Sequence, residues 1–150
     1  MSIMALFSRQ LKWFESFQKD GNKESSGKLV SLYNIKDMPT FEPVYIYAIT
    51  VPFDSIKGPY FHTLRTTITT PLYGGIDLIF YASTLCSYEV IKLDGDAPIQ
   101  VVIPPKTPFC FRGVSKESLL VNYCDYPWEL SSTECTVPDF TDCPYTQRKI

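Results

Sequence analysis

Short apolar runs separated by turn residues dominate the chain from residue 28 onward. "KLVSLYNI", "PVYIYAITVPF", "YFHTLRTTITT", "GGIDLIFYAS", "SYEVIKL", "IQVVIPP", "FCFRGV" and "SLLVNYC" succeed one another at a spacing of roughly ten residues. Each is rich in β-branched and aromatic residues and is bounded by Gly, Pro, Asp or Asn, as strands between turns are. In "VYIYAIT" the alternation puts Val44, Ile46 and Ala48 on one face and Tyr45, Tyr47 and Ile49 on the other. With no helical segment between the runs, the pattern predicts an all-β antiparallel sandwich or barrel. "LDGD", residues 93 to 96, reads as a hairpin turn in which Gly95 adopts a positive φ, and "PLYGG" as a second turn or bulge. At 150 residues and 45% apolar content, the chain can bury one core.

The N-terminus has a different rhythm. Ile3, Phe7, Leu11, Phe14 and Phe17 recur at helical spacing, with Ser2 as N-cap, which predicts one amphipathic helix over residues 2–19. "DGNKESSGK" then reads as a polar linker, and the Pro-punctuated tail as a wrapped or loose C-terminal arm. The expected organisation is helix and linker over 1–27, β-barrel over 28–132 and arm over 133–150.

Charge and cysteine content narrow the function classes. The net charge is −2 and no Lys/Arg block stands out, which argues against a nucleic-acid partner. No stretch reaches the roughly 18 apolar residues of a membrane-spanning helix. Binding of the N-terminal helix to a membrane surface, through Trp13 beside Arg9 and Lys12, is the lesser alternative. No signal segment is read at the N-terminus, and a cytoplasmic protein is expected. Cys86, Cys110, Cys124, Cys135 and Cys143 fit no zinc spacing and read as scattered reduced thiols, with a Cys135–Cys143 disulfide as the alternative for a secreted protein.

One segment carries titratable chemistry. "IKGPYFHTLRTT" holds His62, the sole histidine, three residues before Arg65. By itself His62 reads either as a general acid/base or as one more ring in an aromatic core, and Arg65 as a surface partner for Asp54 or Glu89.

The order of several pieces resembles the RmlC-like cupins, the dTDP-4-dehydrorhamnose 3,5-epimerases and their relatives. Ile103-Pro104-Pro105, Phe109 to Phe111, Ser115 with Glu117, and Asp125-Tyr126 match the later half of that family, within "VVIPPKTPFCFRGVSKESLLVNYCDYPWE". Upstream, "SIKGPYFH" resembles the family's turn leading into its catalytic histidine, and "GGIDLIFYAS" one of its strands. The resemblance covers about residues 50 to 130. It implies a jelly-roll cupin barrel, usually a homodimer, with the site in the barrel mouth. It also implies a metal-free epimerase or isomerase of a nucleotide-linked 4-keto-6-deoxy sugar. A single histidine suits that branch, because metal-dependent cupins need several, and no metal or other cofactor is expected.

By motif, His62 takes the family's base position and Tyr126 the region that supplies the acid. Arg65, Lys57 and Arg112 become the expected substrate-binding residues, since guanidinium and ammonium groups bind a nucleotide diphosphate. The sequence departs from the family at the strand after the base, where "TLRTTITT" offers Arg65 in place of a Gln and a Lys. No segment matches the family's aspartate that orients the base. The alternative reading is a non-catalytic cupin that binds a sugar or small acid or serves as a protein-interaction module. A third is a purely structural jelly roll.

Overall fold

A computed structural model describes residues 6–17, 25–129 and 133–146. Twelve strands run in chain order: β1 (Phe7–Gln10), β2 (Phe14–Phe17), β3 (Ser25–Leu29), β4 (Tyr45–Ile49), β5 (Ile56–His62), β6 (Thr67–Tyr73), β7 (Gly75–Ala82), β8 (Ser87–Asp94), β9 (Ile99–Ile103), β10 (Phe109–Gly113), β11 (Leu119–Cys124) and β12 (Cys135–Thr136). They form two five-stranded sheets, ordered β1-β9-β6-β11-β4 and β12-β5-β10-β7-β8, and a separate β2-β3 hairpin. Every ladder within the sheets is antiparallel. Among the described residues there is no helix.

The two sheets bury their facing sides against each other. Ile76, Leu78, Phe80, Leu93, Phe109 and Phe111 from one meet Val101, Ile103 and Leu120 from the other, all essentially inaccessible to water. The period of two is what makes this possible, because Phe109 and Phe111 point into the core while Cys110 between them points out. Cys110 is buried all the same, because Ile79, Phe140 and Cys143 form a second small cluster over it. That cluster docks the C-terminal arm. Tyr88 helps by donating to Asp142 Oδ1 at 2.6 Å and packing edge-on against Phe140.

Four expectations are corrected here. The amphipathic helix over residues 2–19 is absent from its described part, where Phe7–Gln10 and Phe14–Phe17 are strands; residues 2–5, 18 and 19 lie outside the described residues. β1 pairs with β9 across the sequence, Phe7 opposite Val102 and Gln10 opposite Ile99. A strand, a break at Leu11–Trp13 and a second strand reproduce the apolar spacing of a helix, and long-range pairing decides between them. A helix would bury its Phe stripe, yet Phe7 is 65% and Phe14 52% exposed. The polar linker is also shorter than expected, since Ser25 to Lys28 belong to β3.

"LDGD" is not a hairpin turn, because it joins β8 to β9, which lie in different sheets. Gly95 serves there through its small size and not through a positive φ: a Cβ would sit 2.5 Å from the backbone nitrogen of Tyr73. Its N–H donates to the carbonyl of Gly74 at 3.0 Å, tying this crossing to "PLYGG", another crossing between the sheets. The fourth correction concerns the disulfide alternative, since Cys135 and Cys143 are both free thiols.

Candidate functional site

A bulge in β5 builds the site. Opposite β10, Tyr60 faces Phe109 and Lys57 faces Phe111, so three residues of β5 span two of β10. In a regular strand Lys57 and Tyr60 would point to opposite faces. The extra residue falls at Gly58-Pro59, and Gly58 takes φ +107°, a conformation side-chain-bearing residues rarely adopt. Lys57, Tyr60 and His62 can therefore all face the interior. That is the local logic of "KGPYFH".

These residues line one side of a cavity of about 310 Å³ between the sheets. The facing sheet contributes Tyr45, Tyr47 and Asn122, alternate residues of β4 and their cross-strand neighbour on β11. Asn122 Nδ2 donates to the Tyr47 hydroxyl at 3.2 Å. Burial pushes the Tyr47 phenol up to about 12, so it keeps its proton at neutral pH. Trp128, 59% exposed, and Cys135 also line it.

His62 is buried, 7% exposed, with its ring against Tyr60 and Phe109 at centroid distances of 6.3 and 6.0 Å. Its Nδ1 lies 2.9 and 3.1 Å from the two carboxylate oxygens of Glu134. Glu134 is itself buried, and its Oε1 accepts from the backbone N–H groups of Arg65, at 3.0 Å, and Leu64, at 3.3 Å. Burial alone would raise the Glu134 carboxyl, but the bonds from His62 and the two N–H groups outweigh it and hold the group below its ordinary value. Burial also pushes the His62 imidazole down; the bond to Glu134 opposes that and the Arg65 charge adds to it. With both values lowered, the neutral-pH state is a carboxylate accepting from Nδ1–H, which leaves the Nε2 lone pair free. The Cys135 sulfur lies 3.9 Å from Nε2.

Glu134 arrives from 72 residues downstream. The two-residue strand β12 pairs Cys135 with His62 and Thr136 with Phe61, and Thr63 N–H donates to the Glu134 carbonyl at 2.9 Å. The expectation that the chain lacks a carboxylate for the base is therefore corrected: the arm supplies one. Nothing in "SSTECTVPDF" marks it, because the pairing that delivers Glu134 is non-local.

The sequence-predicted residues divide. His62, Lys57 and Arg65 line the cavity together. Arg65 is 5% exposed beside Glu134, so it is no surface partner of Asp54 or Glu89. Tyr126 is half-buried and is not among the lining residues; Trp128, two positions on, is. Arg112 points away, as alternation from Phe111 requires, and donates to Asp77 Oδ2 at 2.7 Å and to the Tyr145 carbonyl at 2.8 Å. It ties the arm to the barrel. An Arg112→Ala variant is therefore expected to loosen the arm that carries Glu134, with faster amide exchange at Thr63 and residues 133–146 but unchanged affinity for a nucleotide diphosphate. A lost affinity would return Arg112 to the binding site.

No protein-family model matches the sequence, and no curated protein matches it. Solved structures do. The fold superposes on a 3'-monoepimerase from Streptomyces bikiniensis, solved with dTDP-quinovose, at a TM-score of 0.75 and 10% identity, covering 91% of this chain and 71% of that one. A dTDP sugar isomerase from Desulfovibrio desulfuricans gives 0.73 at 18% identity, covering 99% and 94%. The dTDP-6-deoxy-D-glucose-3,5-epimerase RmlC from Legionella pneumophila, in complex with dTDP-4-keto-L-rhamnose, gives 0.75 at 13%, covering 95% and 77%. The chain has the RmlC-like cupin fold.

Proposed function

We propose that this chain is a metal-free epimerase or isomerase of a nucleotide-linked 4-keto-6-deoxy sugar. The observation that carries the reading is the Glu134–His62 pair, with Nδ1 bound by the carboxylate and the ring lining an aromatic-walled cavity. A carboxylate on Nδ1 fixes the tautomer and leaves Nε2 to take a proton. Likeness to dTDP-sugar epimerases and isomerases supports the substrate class.

The chemistry needs no redox partner. His62 Nε2 removes the proton from a carbon next to the ketone, and the C–H electron pair moves into an enolate. An acid then returns a proton to carbon, on the opposite face for epimerisation. By motif the acid is Tyr126. Tyr47 and Tyr60 compete for the role, because both line the cavity and burial holds both phenols protonated.

The test is deuterium uptake from heavy water into a dTDP-4-keto-6-deoxy sugar, followed by mass spectrometry. The wild type should exchange the hydrogen beside the ketone. Among Tyr47→Phe, Tyr60→Phe and Tyr126→Phe, the true acid should keep exchange on the His62 face yet lose product by about 10²-fold or more. A wild type that binds the sugar and exchanges nothing would leave the non-catalytic cupin reading in its place.

A further inference from the structure

Consecutive residues of the arm address the two nitrogens of one ring. Glu134 holds Nδ1, and Cys135, its neighbour in sequence, stands beside Nε2 with its sulfur 3.9 Å away. Strand register puts it there. β12 pairs Cys135 directly opposite His62, and residues opposite each other in an antiparallel pair project to the same face. Both side chains therefore line the cavity. Their access to water differs. His62 is 7% exposed, whereas Cys135 is exposed and belongs to β12, the strand at the edge of its sheet.

A thiol beside an imidazole suggests a nucleophile and its base, but the surroundings speak against that role. Burial and the Glu134 charge push the Cys135 thiol up, and the Arg65 charge and a backbone bond at Phe61 only oppose them in part. The thiol keeps its proton at neutral pH, and a protonated thiol is a poor nucleophile. What it offers is one proton to give and a sulfur that accepts another. The reaction needs such a group. Nδ1 is committed to Glu134, so a proton taken from carbon both arrives at and leaves from Nε2. A sugar seated in the cavity covers the approach to Nε2 from the mouth, and the exposed thiol gives the buried ring a second neighbour on the way to water. The 3.9 Å contact is long for proton transfer, and catalytic contacts of this kind tighten when substrate binds.

We infer that Cys135 is a proton-relay residue: acting through His62, it passes the proton that Nε2 takes from the sugar out to bulk water while the sugar is still bound. The inference rests on the isomerase reading. In the balanced step the Nε2–H bond breaks and a new S–H bond forms, as the thiol's original proton passes to a water molecule. Imidazole and thiol both end neutral, and nothing is oxidised or reduced. The acid on the opposite face recovers one proton from water, so the cycle closes. A base that discharges to water in this way returns a solvent hydrogen to the same carbon, and unconverted substrate becomes labelled in heavy water. A base that cannot discharge hands back the proton it took, and unconverted substrate stays unlabelled. Product still forms, because the acid supplies its hydrogen and His62 resets once product leaves.

The experiment follows dTDP-4-keto-6-deoxyglucose in heavy water with wild type, Cys135→Val and Cys135→Ser. At early conversion, deuterium in recovered substrate is read by mass spectrometry and product by NMR. Valine suits a strand and has no proton to transfer, whereas serine keeps a hydroxyl that donates and accepts. Cys135→Val should lower the ratio of substrate labelling to product formation by about tenfold or more, short of the roughly 10²- to 10⁴-fold that a direct acid or base contributes. Cys135→Ser should keep the ratio within about threefold of wild type, and dTDP affinity by calorimetry should stay within about threefold in both. If a thermal melt finds Cys135→Val unfolded, Cys135→Ala is read in its place. An unchanged ratio in the folded variant, labelling and product lost in equal measure, or serine failing as valine does would overturn the relay. An inert wild type removes the isomerase reading and the relay together; an active wild type with an unchanged ratio in the variant removes the relay alone.

Discussion

His62→Asn should fold as the wild type does and lose at least about 10³-fold of its ability to exchange deuterium beside the ketone, within the range a positioned general base contributes. The asparagine amide can still donate to Glu134, so the buried carboxylate is not stranded. The ring it replaces lies outside the main core cluster, resting against Tyr60 and Phe109. The melting temperature should therefore move by no more than the roughly 2–4 °C that 1 kcal/mol shifts a domain of this size. What disappears is the Nε2 lone pair. Sugar binding, measured by calorimetry, should persist, because the aromatic walls, Lys57 and Arg65 are untouched. A variant that still exchanges within about tenfold of the wild type would mean that the base is another group. Loss of binding along with exchange would make His62 part of the ligand's seat and not its base.

The sequence showed the barrel more readily than the site, for reasons of sequence distance. Strand runs such as "VYIYAIT" and "GGIDLIFYAS" carry their own alternation, and β4 and β7 appear where that alternation predicts. The grouping of Tyr45 with Tyr47 and Ile49 on one face of β4 is legible in the alternation, but which face turns inward is set by the neighbouring strands. β1 is not legible in this way, because its identity depends on Val102 and Ile99 nearly a hundred residues away, while its local spacing also satisfies a helix. The same holds for the site. His62 and Arg65 share one short segment and could be found from it. Glu134 meets them only because a two-residue strand closes onto the edge of β5, and a carboxylate in a polar tail carries no mark of that. Arg112 stands apart from that cavity for the opposite reason. Its charge suggested a phosphate, but alternation after Phe111 already turned it outward, toward Asp77 and the arm.

The carboxylate that sequence missed carries the other large effect. Glu134→Gln should keep the shape and an acceptor for Nδ1–H while deleting the charge, and the rate above the acid limb should fall on the order of 10²- to 10⁴-fold, the span seen when the orienting partner of a functional imidazole is altered. Direction in pH separates this from a structural defect. Both the bond to Glu134 and its charge raise the His62 pKa against burial. Removing the charge lowers it further, so the acid limb of kcat/KM, already below the ordinary histidine value of 6.5, should move to lower pH while the plateau drops. Stability moves the same way. The wild-type Glu134 pKa is depressed, so its contribution is complete above the ordinary value of 4.5 and is lost as pH falls through the folded value. His62 is depressed too, so the folded state binds fewer protons than the unfolded chain as pH drops below 6.5, and acidification weakens the fold there as well. The variant loses the carboxylate part of that dependence, while the histidine part, with its folded value lowered further, extends to lower pH than in the wild type. An unchanged plateau, or an acid limb shifted upward, would detach Glu134 from the proton chemistry and leave it a clasp for the arm.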